Sequence, residues 1–234
     1  MSWADFKPPL ILMRELMTVS QALIFDMDGL MLDSEPLYQR AWQTAAQELG
    51  FVLENDLYLS LVGRSSEEAD CMFVRTFGEK FPVQEFNRRW DQHWRSLIRQ
   101  QGIKLQPGLL PLLDWVEQQG FPKAVGTSSN ATEAELCLSM AGIRDRFDAI
   151  VTVDQVQAGK PAPDIFLAAA SKLGKSPSQC LVLEDSNAGV QAAHAAGMTV
   201  IMVPDLQVPT AASQAIAWQI CDSLDEVLTL MQRF

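Results

Sequence analysis

Ala22-Leu23-Ile24-Phe25-Asp26-Met27-Asp28-Gly29 is the stretch from which the rest of the chain can be read. Four apolar residues in a row, too few for a helix and without polar alternation, predict a strand buried on both faces that stops at a polar turn. Three later runs have the same form. Residues 122–126 end at Thr127-Ser128-Ser129-Asn130, residues 149–153 end at Asp154, and residues 180–183 end at Glu184-Asp185. Helical patterns lie among them at 109–119, 131–141, 164–173 and 188–196, often closed by a glycine. Alternating strand and helix predict an α/β fold with a doubly wound, mostly parallel sheet. Ligands of such a sheet bind beyond the carboxyl ends of its strands, where these polar tips lie.

One stretch breaks the rhythm. From Ser34 to Lys104 only helix-like segments are found, at 37–49, 65–77 and 83–101, which predicts an inserted all-helical cap domain. In the last of these, Phe86, Trp90, Trp94, Leu97 and Ile98 recur at helical spacing, read as a packing stripe rather than an aromatic binding box. The expected division is a tail at 1–20, a core at 21–33 and 107–234, and a cap at 34–106, with hinges near Ser34 and Gln106. The first sixteen residues carry two adjacent prolines and precede a second methionine, Met17, so they are expected to be a non-essential tail.

Composition narrows the function. The 234 residues, 48% of them hydrophobic, suffice for a substantial core. With 29 acidic against 18 basic residues the net charge is -11, which repels nucleic acid and anionic membranes, and no basic patch offsets it. No apolar run reaches the roughly 18 residues of a membrane span. Cys71, Cys137, Cys180 and Cys221 are scattered, form no CxxC pair, and are expected to be buried packing thiols, which suits the cytoplasm. A monomer or weak homo-oligomer is expected.

The chemistry is expected at the strand tips. Asp26 and Asp28, two apart, can direct both carboxylates to one cleft, and Gly29 permits the tight turn behind them. Alone, an Asp-x-Asp-Gly turn is more often a solvated loop. Here the other tips add a hydroxyl followed by backbone N–H groups at Thr127, a cation at Lys160 and hard oxygen ligands at Glu184-Asp185. Phosphoryl transfer needs these parts, because the transferred group spreads negative charge over its oxygens. Mg2+ prefers few carboxylates and several waters, a need that Asp26 and Asp185 can meet.

With these motifs in order, the chain resembles the haloacid dehalogenase superfamily, in the subgroup of β-phosphoglucomutase and small phosphosugar phosphatases. The motifs are Asp26-Met27-Asp28-Gly29 followed by Asp33-Ser34-Glu35-Pro36, Thr127 in Gly126-Thr127-Ser128-Ser129-Asn130, Lys160 in Gly159-Lys160-Pro161-Ala162-Pro163-Asp164, and Glu184-Asp185-Ser186. The resemblance implies a Rossmann-like core and a Mg2+-dependent phosphatase acting on a small phosphorylated metabolite. It implies Asp26 as nucleophile, forming an aspartyl-phosphate, and Asp28 as the acid that later activates water. Thr127 and Lys160 would hold phosphoryl oxygens, with Ser128, Asn130 and the cap Arg64 as further substrate contacts. The metal ligands implied are Asp26, Asp185, the Asp28 carbonyl, and Glu184 through a bound water.

The resemblance also frames the alternatives. Asp28 argues against dehalogenase chemistry, which needs no such proton donor, and a cap with only Lys80 and Lys104 near its end argues against phosphonatase chemistry. The β-phosphoglucomutase pattern has a cap histidine where this chain has Tyr38 and a cap lysine where it has Ser60, so water is favoured as acceptor; Arg64 does match. A non-catalytic binding module would be expected to lack one of Asp26, Asp28, Lys160 or Asp185, and none is missing. His93 and His194 are read as structural or solvated, and the presence of only two histidines argues against a serine or cysteine triad.

Overall fold

The computed structural model describes residues 20–62 and 66–233; the expected tail up to residue 19, and Arg64, lie outside the described residues. Six parallel strands form one sheet: β1 (Ala22–Phe25), β4 (Lys123–Gly126), β5 (Ala149–Val151), β6 (Cys180–Glu184), β7 (Thr199–Met202) and β8 (Gln219–Ile220). Their order is β5-β4-β1-β6-β7-β8. The chain builds outward from β1 to one edge and then returns to build outward to the other. The sequence order therefore reverses beside β1, the place where doubly wound sheets bind ligands.

Side-chain alternation along β1 divides the core. Leu23 and Phe25 face a cluster with α5 (Leu109–Gln118), α6 (Ala131–Met140) and α10 (Leu224–Met231). Ala22 and Ile24 face a second cluster with α7 (Asp164–Lys172) and α8 (Asn187–Ala195). A strand apolar on both sides is what a sheet covered on both faces requires. The remaining core helix, α9 (Ala211–Ile216), lies between β7 and β8.

Between β1 and β4 stand α1 (Glu35–Glu48), α2 (Asn55–Leu61), α3 (Ser66–Phe77) and α4 (Val83–Gln101). A third cluster, rich in aromatic rings, joins them: Trp42 meets Tyr58, Phe73 and Phe86 edge-on at centroid distances of 5.6, 5.6 and 6.2 Å. The stripe on α4 does pack, with Phe86, Trp94 and Ile98 buried, while Trp90 also lines the cavity described below. His93 pairs with Glu48 at 3.0 Å.

Three readings need correction. The stretch from Ser34 to Lys104 is not wholly helical at its borders: β2 (Leu32–Asp33) pairs antiparallel with β3 (Lys104–Leu105), so a short ribbon joins the helices to the sheet. Two-residue strands carry no periodicity to detect. The run predicted at 149–153 leaves the sheet after Val151, because the Val153 N–H turns to the Ser129 carbonyl at 3.2 Å. Cys71 is exposed, lying on α3 away from buried Ala69 and Phe73; the other three thiols are buried as expected.

Candidate active site

The site grows from the carboxyl end of β1. The Asp26 N–H donates to the Leu183 carbonyl at 3.0 Å, carrying the β1–β6 pairing one rung past the strand and fixing where the Asp26 side chain emerges. The chain then folds back, with the N–H groups of Met31 and Leu32 both donating to the Met27 carbonyl at 3.0 Å. Gly29 has φ +83°, and a Cβ there would overlap the Asp185 carboxylate. Only glycine allows both the turn and the close approach of the β6 tip.

Lys160, on the loop between β5 and α7, joins the two tips. Its ammonium donates to Asp26, and to Glu184 Oε1 at 2.7 Å, with the lysine side chain 4% exposed. Glu184 is fully buried, and its other oxygen accepts from the Ser186 N–H at 2.7 Å and the Ser186 hydroxyl at 2.9 Å. Glu184 thus binds within the protein through both oxygens. At the β4 tip, buried Thr127 accepts from the Ser129 N–H at 3.0 Å, and the Ser129 hydroxyl donates to Asp28 Oδ2 at 2.8 Å. Asn130 caps α6: its side chain accepts from the Glu133 N–H at 3.0 Å, and Glu133 reaches back to the Asn130 N–H at 3.3 Å.

Burial dominates the electrostatics. It raises the pKa of Asp26, opposed by the Lys160 charge, and raises that of Asp185, reinforced by Glu184 and Asp26. Asp28 is also raised by burial, partly offset by the Ser129 hydrogen bond. For Lys160, burial alone would lower the pKa, but the charges of Asp26 and Glu184 outweigh it and the net shift is upward. Oxygens of Asp26, Glu184 and Asp185 lie within 4.8 Å of one another. One ammonium does not neutralise three crowded carboxylates, and a hard divalent cation at an all-oxygen donor set would.

These groups open into a cavity of about 380 Å³, at the small end of the range for ligand sites. Asp26, Asp28, Thr127, Ser128, Asn130, Lys160 and Asp185 all line it, so the residues singled out in the sequence converge, except Arg64, which is not described, and Glu184, which lies behind Lys160. The helices between β1 and β4 cover it with Glu35, Tyr38, Trp42, Tyr58 and Trp90. Sequence reasoning gave no role to Ser129, Glu35 or Tyr58. The first two stood inside quoted motifs, and Tyr58 had no local signal.

The sequence model of the haloacid dehalogenase-like hydrolases matches residues 23–203, more than half of the chain. The chain belongs to this family. Among its haloacid dehalogenase-like relatives is fructose-1-phosphate phosphatase YqaB of Escherichia coli K12, 36% identical over 183 residues that cover 77% of this chain and 95% of that protein. The phosphorylated carbohydrates phosphatase of Thermotoga maritima is 32% identical, over 76% of this chain and 82% of its own length. The crystal structure of CbbY from Rhodobacter sphaeroides in complex with phosphate superposes with a TM-score of 0.80 at 27% identity, covering 91% of this chain and 99% of that one. As in other family members, the core is a parallel six-stranded sheet flanked by helices.

Proposed function

We propose that this haloacid dehalogenase-like phosphatase hydrolyses a small phosphorylated metabolite, a phosphosugar by class, through an aspartyl-phosphate on Asp26 with Mg2+ as cofactor. The observation that carries the reading is the meeting of Asp26, Lys160 and Asp185 from three separate segments at one cavity, with Glu184 bonded to Lys160 behind them. Sugar-phosphate phosphatases among the relatives support the substrate class.

In the first step an Asp26 carboxylate oxygen forms a bond to phosphorus as the bond to the ester oxygen breaks. Asp28, oriented by Ser129, gives its proton to that departing oxygen. In the second step Asp28 takes a proton from water, whose oxygen bonds to phosphorus while the Asp26 acyl-phosphate bond breaks, releasing phosphate and restoring both residues. Thr127, Ser128 and Lys160 line the space where the phosphoryl oxygens would lie. Asp26 and Asp185, with the Asp28 carbonyl and with Glu184 acting at one remove, would hold Mg2+. The ion would supply charge neutralisation for the phosphoryl group.

Raised pKa values at Asp26 and Asp185 without metal accord with a site that expects a cation. Hydrolysis rather than mutase transfer is favoured by Tyr38, which stacks on Trp94 at 5.1 Å where the mutase pattern has histidine. Ser60 turns its hydroxyl to the Leu57 carbonyl at 2.7 Å. Residues 34–106 act as a cap that opens for exchange about the β2–β3 ribbon. A reducing cytoplasm suits the unpaired thiols, and the protein would work as a monomer or weak homo-oligomer. Among the described residues no helix is long and apolar enough to cross a membrane.

The test is phosphate release from p-nitrophenyl phosphate and a panel of sugar phosphates with and without Mg2+, for the wild type and Asp26→Asn. Mg2+-dependent release that the variant lacks is expected. Full turnover by Asp26→Asn, or none by the wild type on any ester, would overturn the proposal.

A further inference from the structure

Among the described residues the cavity is chemically lopsided. Lys160 is the only basic side chain among the described residues that line it, and its ammonium is already engaged by Asp26 and Glu184. Beyond the strand tips the described walls are aromatic and acidic, with Leu61, Val62 and Val153 as aliphatic patches. Glu35, Tyr38 and Trp42 stand three and four residues apart, so one face of α1 presents a carboxylate and two rings to the cavity.

Glu35 is held in place. The Tyr58 hydroxyl contacts its carboxylate at Oε2 and lies 3.0 Å from its backbone carbonyl, tying α2 to the start of α1 across 23 residues. Among the described residues its second oxygen has no partner, and that oxygen is not sealed from solvent. Burial lifts the pKa to about 7 against the opposing Tyr58 bond, with Asp28 and Asp205 adding negative charge nearby. A hydroxyl donating to this carboxylate would relieve its desolvation. A carboxylate or second phosphate placed there would add another anion to an acidic wall.

We infer that Glu35, braced by Tyr58, is the specificity-determining residue of this site, reading a hydroxyl of an otherwise neutral polyol or sugar monophosphate and rejecting phosphorylated acids and bisphosphates. The inference rests on the phosphatase reading above. Glu35 touches the substrate body and takes no part in bond making. The rings of Trp42 and Trp90, in contact at 6.1 Å, give the carbon-bound faces of such a body an apolar wall.

The experiment measures kcat and KM with Mg2+ for three esters: glucitol 6-phosphate, 2-phosphoglycolate and p-nitrophenyl phosphate, which carries neither hydroxyl nor second anion. In wild type, glucitol 6-phosphate is expected to be preferred over 2-phosphoglycolate. In Glu35→Ala, kcat/KM for glucitol 6-phosphate relative to p-nitrophenyl phosphate should fall about tenfold or more, mainly through KM, as expected for a lost bond to a charged acceptor. Glu35→Gln keeps an acceptor and should lose less, while 2-phosphoglycolate gains relative to p-nitrophenyl phosphate. Tyr58→Phe leaves Glu35 in place but unbraced, and should shift the ratio the same way, which preserves the test should Glu35→Ala not fold.

Ratios unmoved, within about twofold, in folded Glu35 and Tyr58 variants would overturn the inference while leaving the phosphatase reading intact. So would a wild-type preference for 2-phosphoglycolate, which would point to a cation such as Arg64. Wild-type inactivity on all three esters would overturn the phosphatase reading and this inference with it.

Discussion

At the scale of single residues, the site is built by close approach as much as by charge. A Cβ at Gly189, the third residue of α8, would overlap the Glu184 carboxylate that Lys160 and Ser186 hold. Gly189→Ala must therefore displace Glu184, and a destabilisation of about 1–3 kcal/mol, typical of overpacking, is expected in a urea melt together with reduced turnover. Lys160 bridges buried Asp26 and Glu184, and buried Asp185 lies beside them. Removing one partner of a buried ion pair costs about 3–5 kcal/mol, so Lys160→Met should lower Tm in metal-free buffer, and added Mg2+ should recover part of the loss. An unchanged melting temperature in metal-free buffer would contradict that account. The Asp26, Lys160 and Asp185 positions were legible in the sequence because each follows an apolar run or lies in a recognisable motif. Ser129 was not assigned, since its bond to Asp28 spans 101 residues and nothing local announces it.

At the scale of elements, caps and surface clusters fix the pieces that carry the site. The Asn130–Glu133 capping box starts α6 at the cavity edge, and Asn130→Ala should cost about 1 kcal/mol of stability by chemical denaturation. At the opposite end of β4, Arg146 bonds to Asp114 at 2.6 Å and to Glu117 at 2.9 and 2.7 Å, and Lys123 reaches Glu117 at 3.1 Å. These partners, Arg146 first, hold the Glu117 pKa at about 2. A carboxyl lowered on folding contributes stability that is present above its ordinary value and is lost as pH falls through the lowered one, here from about 4.5 down to 2. Glu117 is 40% exposed, so solvent screening limits the effect to about 1 kcal/mol or less. Melts between pH 5 and 3 should show a shallower loss for Glu117→Gln than for wild type.

At the scale of the whole molecule, the buried acids couple metal to stability. A ligand bound only by the folded state at about 100 times its Kd adds ~2.7 kcal/mol, so Mg2+ should raise Tm by several degrees, EDTA should reverse the rise, and Asp185→Ala should abolish it. A second coupling crosses between core and covering helices. The Gln207 amide donates to the Val62 carbonyl at 2.5 Å and accepts from the Asn187 N–H at 3.2 Å, two residues past Asp185. Hydrogen exchange in α2 should quicken in Gln207→Ala if this bridge holds the helices down.

The sequence by itself determined the alternating architecture, the strand tips and the family. Strands buried on both faces must be written as short apolar runs, and a chain turning at their ends must place polar residues or glycine there, so local composition carries that information. The β2–β3 ribbon, the exposure of Cys71 and the pairing of Glu35 with Tyr58 were decided only in the tertiary structure. Each depends on which side of a short element meets another segment far along the chain, and a contact across 23 or 145 residues leaves no periodic trace in either partner's neighbourhood.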